Sequence, residues 1–396
     1  MPHARLTPRH GRGIVALVLG VTIALALLTA LALTAPRTMP MLVGTLVASE
    51  LSPLVALAAL LWALVAFTLL RGRGSLRSAT IALLLAVAMA SLRPLMEFRR
   101  AAASARRQLG GDAEPVAFSP LVGLTGLPVA RAVTTRAVTY RAADGAPLTL
   151  QLYTLGGAAL RPAVVVVYGG AWRGGNATQS ANVSRALASH GYAVIAVDYR
   201  HAPASHFPAQ LDDVRRSLAL VHDSAAAWGI DATRLALLGR SSGGQLAELT
   251  AFTSDSGGNA VPVRAVIALY APYDLAEGYR DLPAPDPIGV RHVLRDFLGG
   301  APAEQPARYH EASPASFVRT GLPGVLLLFG GRDHVVKPEF NRAAAAALRN
   351  AGVRVVAVEL PWAEHGFDMV PGGLGAQLAL DTMLGFLGES IGVASR

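Results

Sequence analysis

The chain has 396 residues, 52% of them hydrophobic, with no cysteine and a formal net charge of +9. Without cysteine there can be no disulfide, thiolate metal site or cysteine nucleophile. The charge is uneven: residues 1–107 carry twelve arginines against two glutamates, and the remainder has 23 basic and 24 acidic residues. The C-terminal portion therefore has no basic excess of the kind that binds nucleic acid.

Residues 1–107 read as a membrane module. Residues 14–35 form an uncharged apolar run, long enough at ~1.5 Å per helical residue to cross a ~30 Å hydrocarbon core. Residues 51–70 form a second run, and residues 79–92 a third, which reaches residue 96 if Arg93 snorkels. A cleaved signal peptide fits the first run poorly, because that run is long and two more follow. Arg5, Arg9 and Arg12 precede the first run, and Arg71, Arg73 and Arg77 follow the second, so the positive-inside rule puts both clusters in the cytoplasm. Three spans place the C-terminal domain outside the cytoplasm, which is the reading adopted. With two spans it would be cytoplasmic, and Arg93, Arg99, Arg100, Arg106 and Arg107 would lie on the expected face. Residues 108–132, with Gly110, Gly111, Pro115, Pro120 and Pro128, read as a linker.

From 133 to 396 short β-branched runs alternate with helical patterns. Strands are expected at 133–140, 148–153, 163–168, 193–198, 235–238, 263–270, 325–330 and 353–360. The first two, joined across Asp144-Gly145, form an edge hairpin. The later runs are continuously apolar, as in a parallel sheet covered on both faces. Helices are expected at 177–190, 208–228, 243–253, 339–350 and 375–387. The fold class is α/β, with chemistry gathered at the carboxyl ends of the strands.

Gly239-Arg240-Ser241-Ser242-Gly243 follows one of these strands and opens a helix. A G-x-S-x-G at such a turn exposes the serine hydroxyl above the sheet, and glycines are needed where the strand and helix backbones approach. A serine nucleophile needs a base and a group that orients it, following in the order acid then histidine. Asp333 and His365 follow later strands in that order, with Asp274 as the competing acid, whose other role is to cap the next helix or shape the pocket. Glu364 and Asp368, beside His365, are expected to be solvated at the surface, with bonding of the His365 loop as the alternative, and His334 is a neighbour of Asp333. Gly169-Gly170 after the 163–168 strand can aim backbone N–H groups at a developing oxyanion, and the N–H of Ser242 completes that hole.

With these motifs in view, residues 133–390 resemble the α/β-hydrolase superfamily, and more narrowly the hormone-sensitive-lipase-like and feruloyl-esterase-like (BD-FAE-like) carboxylesterases. Tyr168-Gly169-Gly170-Ala171-Trp172 is similar to the family's His-Gly-Gly oxyanion motif, and Val197-Asp198-Tyr199-Arg200 with Ala202-Pro203 to its strand-end motif. Phe207-Pro208 through Val214 is similar to its helix start. The resemblance implies Ser241, Asp333 and His365 as the triad, Gly170, Ala171 and Ser242 as oxyanion donors, and no metal or organic cofactor. Two positions depart from the pattern: Tyr168 stands for the usual histidine, and Ser242 for the commoner alanine. The expected protein is a membrane-anchored serine hydrolase acting on small-molecule or lipid esters. An acyltransferase or peptidase using the same triad is the alternative, and a catalytically silent membrane-anchored scaffold is a second. Residues 279–306 are expected to be either part of a lid or acyl pocket, or a surface excursion.

Overall fold

The computed structural model describes residues 8–110, 114–157, 159–253 and 261–393. Four helices come first: α1 (Pro8–Leu33), α2 (Met39–Glu50), α3 (Ser52–Leu69) and α4 (Gly74–Gln108). Three of them, α1, α3 and α4, are long and apolar enough to cross a membrane. They meet through small side chains: Ala59, Ala63 and Ala66 of α3 pack with Val18 of α1 and with Val87 and Ala88 of α4, the close backbone approach that such helices use where no water drives them together. Thr29 and Ser91 share a hydroxyl hydrogen bond of 2.9 Å, and Trp62 Nε1 donates to the Val18 carbonyl at 3.3 Å. Leu70 packs in the same cluster as Val18. The start of α1 and the turn after α3 therefore share one end of the bundle, and the C-terminal domain sits at the other.

The 79–96 run is the interior of a longer helix. Helix α4 passes through Arg93 and Pro94 unbroken for 35 residues. Beyond Pro94 its apolar side narrows to Phe98, Ala101, Ala102 and Ala105, a one-sided stripe at helical spacing. That stripe is buried in the same core as strands of the C-terminal sheet. Helix α2, between the first two spans, was not expected from the sequence; Thr38 caps it and Pro40 sits in its first turn. Nor is 108–132 a bare linker. It carries α5 (Pro120–Thr125), capped by Ser119, whose backbone N–H donates to Gln377 Oε1 at 2.9 Å.

The remaining elements are β1 (Thr134–Arg141), β2 (Pro147–Thr154), β3 (Arg161–Val167), α6 (Ala181–Ser189), β4 (Ala193–Val197), α7 (Ala209–Asp223), β5 (Ile230–Arg240) and α8 (Ser242–Phe252). They continue with β6 (Val263–Leu269), α9 (Leu275–Arg280), α10 (Val290–Leu298), α11 (Pro306–Ala312), β7 (Gly324–Gly330), α12 (Pro338–Asn350), β8 (Val355–Leu360) and α13 (Leu374–Ile391). The strands form one sheet in the order β1-β2-β4-β3-β5-β6-β7-β8. Strands β1 and β2 are the antiparallel edge hairpin, β2 meets β4 antiparallel, and every later pair is parallel. All eight expected strands are present. Alternating residues of each strand feed two cores, with Val165 and Leu237 on one face and Val164 and Leu238 on the other. The second core also takes in Leu46 of α2 and the α4 stripe, so the N-terminal helices and the sheet share one packed interior.

Candidate active site

The sheet places three loops side by side. Strand β5 ends at Arg240, and Ser241 follows with φ 50° and ψ −124°, a backbone that a non-glycine residue holds only under strain. The turn is tight enough that a Cβ on Gly239 would collide with Gly243, and one on Gly243 with the carbonyls of Val167 and Tyr168. Asp333 sits just beyond β7 and His365 just beyond β8. His365 Nε2 lies 2.9 Å from Ser241 Oγ, and its Nδ1 lies 2.8 Å from Asp333 Oδ2. The other Asp333 oxygen accepts the Val335 and Val336 N–H groups, both at 2.8 Å. The carboxylate is thereby buried and fixed, which leaves His365 Nε2 unprotonated toward the serine. Tyr270 stands edge-on to the imidazole at 4.5 Å. The competing acid, Asp274, does not bond His365: it lines the pocket beside Ser241 and caps α9, accepting the Glu277 N–H at 2.9 Å.

The three oxyanion candidates differ in what they touch. The Ser242 N–H opens α8 and has no intrahelical acceptor. Ala171, at φ 53°, leaves its N–H without an intramolecular acceptor among the described residues. The Gly170 N–H is engaged, donating to Ser242 Oγ at 3.1 Å. The serine that replaces alanine therefore occupies one of the three donors. Tyr168 supports this loop from behind. Its hydroxyl donates to Asp198 Oδ1 at 2.6 Å, lies 2.8 Å from His201 Nε2, and its ring stacks on Tyr199 at 4.4 Å. Burial pushes the Tyr168 phenol well above its usual value, so it stays a donor.

An apolar pocket of about 50 Å³ opens beside Ser241, walled by Trp172, Leu275, Val290, Leu294, Val336 and Phe340. Two of these walls come from α10, within the 279–306 segment, which thus forms part of the pocket. Trp172 is held by stacking on Phe297 of α10 at 4.2 Å and by Nε1 donating to Gln245 Oε1 at 3.0 Å.

Several neighbours escape a reading of the sequence. Arg240, the variable residue of the elbow, is buried and ion-paired to Asp368, which also accepts the Tyr270 hydroxyl. The elbow is thus tied to the loop that carries His365. Asp368 is not solvated, and neither is Glu364: its oxygens accept the His334 and His365 N–H groups at 2.7 and 3.0 Å and pair with His334 Nδ1 at 2.6 Å. That hydrogen bond raises the His334 imidazole above its ordinary value. A charged residue inside an apolar strand-to-helix turn was the one available signal that Arg240 needs a partner. The most distant contributor is Glu50 of α2. It accepts Trp362 Nε1 at 3.1 Å and the Gly375 N–H at the start of α13, and so braces the 361–375 segment from the N-terminal helices.

The sheet order, the strained elbow and the serine–histidine–carboxylate row define an α/β-hydrolase fold. Within it the chain belongs to the BD-FAE family, whose model matches residues 150–348. Esterase LipC of Mycobacterium tuberculosis is 31% identical over 226 residues, covering 53% of this chain and 54% of LipC. Esterase LipQ of the same organism is 29% identical over 242 residues, 58% of this chain and 56% of LipQ, so the chain spans about half the length of these relatives. Among solved structures, the esterase Est2 of Thermogutta terrifontis is 26% identical with a TM-score of 0.55, covering 66% of this chain and 94% of Est2.

Proposed function

We propose that this protein is a membrane-anchored serine carboxylesterase. The observation that carries the reading is the unbroken row Asp333–His365–Ser241, at 2.8 and 2.9 Å, on a strained elbow. Ser241 Oγ attacks the acyl carbon as His365 Nε2 takes its proton. Asp333 holds the imidazole and stabilises its protonated form. The Ala171 and Ser242 N–H groups receive the oxyanion. His365 then protonates the leaving alcohol, and a water activated by His365 splits the acyl-enzyme to release the acid. The 50 Å³ pocket suits a short acyl group. The esterase names of LipC, LipQ and Est2 support the ester as substrate class.

The length and apolar composition of α1, α3 and α4 support anchoring. Arg12 near the start of α1 and Arg71, Arg73 and Arg77 after α3 belong to the end of the bundle away from the sheet, so the positive-inside rule favours the active site outside the cytoplasm. Turnover of p-nitrophenyl acetate and butyrate by the detergent-purified chain tests the reading. Ser241→Ala should abolish it while leaving the thermal midpoint in place. Equal turnover in the variant would refute the triad.

A further inference from the structure

A second cavity is lined by none of the candidate triad residues. It holds about 260 Å³ where the sheet-side ends of the membrane helices meet the loops after β7 and β8. A single water needs only ~10–15 Å³ of such space, so this is room for a ligand. Its walls are mostly apolar, among them Leu28 and Leu33 of α1 and Val55 of α3, with Trp362 from the sheet side. Leu28 and Leu33 are themselves exposed, so the cavity opens sideways where lipid chains would lie.

Two polar groups in this wall are left incomplete. Ser52 is 3% exposed, and its Oγ has no hydrogen-bond partner among the described residues. Arg332 spends Nη1 on the Ala32 carbonyl and meets no carboxylate within 4 Å among the described residues. Glu97, in the same wall, is already paired with Arg93 at 2.9 Å, so that pair is neutral and the Arg332 charge is uncompensated. A half-buried guanidinium with a free edge, a buried hydroxyl without a partner and an apolar exit toward the bilayer describe a site for one small anion on one chain. A guanidinium edge matches a carboxylate in bidentate geometry.

We propose that this cavity binds a fatty-acid anion, with its carboxylate on Arg332 and Ser52 and its chain leaving past Leu33 and Val55. A diacyl phospholipid brings a bulkier head and a second chain, whereas the second cation of this wall, Arg93, is already paired with Glu97 and Arg332 alone is left to meet an anion. Arg332 directly precedes Asp333, and Trp362 lies on the segment that carries His365. An occupant here therefore touches both loops of the candidate triad without entering the Ser241 pocket. The binding claim itself does not depend on the esterase reading.

The test uses the full chain in dodecyl maltoside with a palmitate analogue carrying a chain diazirine, followed by peptide mapping of the photo-adducts. Adducts are expected on peptides spanning residues 28–33 and 52–55, competed by unlabelled palmitate and not by dioleoyl phosphatidylglycerol. Arg332→Gln should lower capture roughly tenfold, the change expected when a hydrogen bond to a charged group is lost. Ser52→Ala, which removes only the unpartnered hydroxyl, should lower it several-fold at an unchanged thermal midpoint. Adducts spread over exposed faces such as Leu57 and Leu64, capture indifferent to both variants, or equal competition by phosphatidylglycerol would each overturn the proposal.

Discussion

Replacing Glu50 by glutamine tests how much the N-terminal helices contribute to the stability of the α/β-hydrolase domain they pack against. The Glu50 side chain is fully buried between α2 and the 361–375 segment, and burial pushes its carboxyl from 4.5 up to about 8. A folded-state value above the unfolded one means that stability is fully present below about pH 4.5 and is lost as pH rises through about 8. Within that window one such group costs at most about 1.4 kcal/mol per pH unit. Glu248 on α8 is also fully buried and pushed up to about 8, with an Oε2 that lacks a partner among the described residues, so it adds a comparable slope. For a domain of this size, 1.4 kcal/mol corresponds to roughly 3–6 °C in the thermal midpoint. Glu50→Gln should remove about half of the midpoint's decline between pH 5 and 8, and Glu50→Gln with Glu248→Gln most of it. The single variant should start lower at pH 5, because glutamine keeps one acceptor for two N–H groups, and then cross above wild type as pH rises. Differential scanning fluorimetry of the detergent-purified chain reads this directly. Parallel pH slopes in wild type and Glu50→Gln would refute the reasoning.

Four further outcomes follow from the site. Asp333→Asn should lower kcat by about 10³–10⁴, as in other triads that lose the orienting carboxylate, whereas Asp274→Asn should cost about 1 kcal/mol of stability and little turnover; the reverse pattern in steady-state kinetics would reassign the acid. Asp368→Asn leaves the buried Arg240 charge unpaired, which should cost about 3–5 kcal/mol in a melting experiment, while Arg240→Met with Asp368→Leu should recover much of it. Ser242→Ala frees the Gly170 N–H from its serine acceptor and should raise kcat on p-nitrophenyl butyrate; a fall would mean that the hydroxyl is needed to hold the loop. Phe340→Ala enlarges the pocket beside Ser241, so the kcat/KM preference across p-nitrophenyl esters should move toward longer acyl chains, and an unmoved preference would place the acyl group elsewhere.

What the sequence disclosed and what it hid divide along physical lines. The strands of the parallel sheet are continuous apolar runs such as Val164–Val167, buried on both faces, and a strand of that kind announces itself locally. The elbow and its two partners were legible because chain order and strand ends confine them. Helix α10 was not, since its amphipathic nine residues sit among the prolines and glycines of the 279–306 segment. Helix α4 was cut short because Arg93 and Pro94 look like a stop; in the structure Arg93 pairs with Glu97 one turn on, and the stripe from Phe98 to Ala105 finds a core to join. The buried partners of the active-site loops were hidden by distance. Arg240 and Asp368 are 128 residues apart, and Glu50 lies more than 300 residues from Trp362 and Gly375. Asp368 was read as solvated, and Arg240 and Glu50 were given no role, because nothing nearby in the chain declares the other half.

The central claim is that Ser241 is a nucleophile activated by His365. A fluorophosphonate probe, followed by peptide mapping of the full chain, tests it most directly. A single adduct on Ser241, lost in Ser241→Ala and strongly slowed in His365→Ala, is the result predicted here. An adduct on Ser242 or another residue, or no adduct in folded protein, would contradict it.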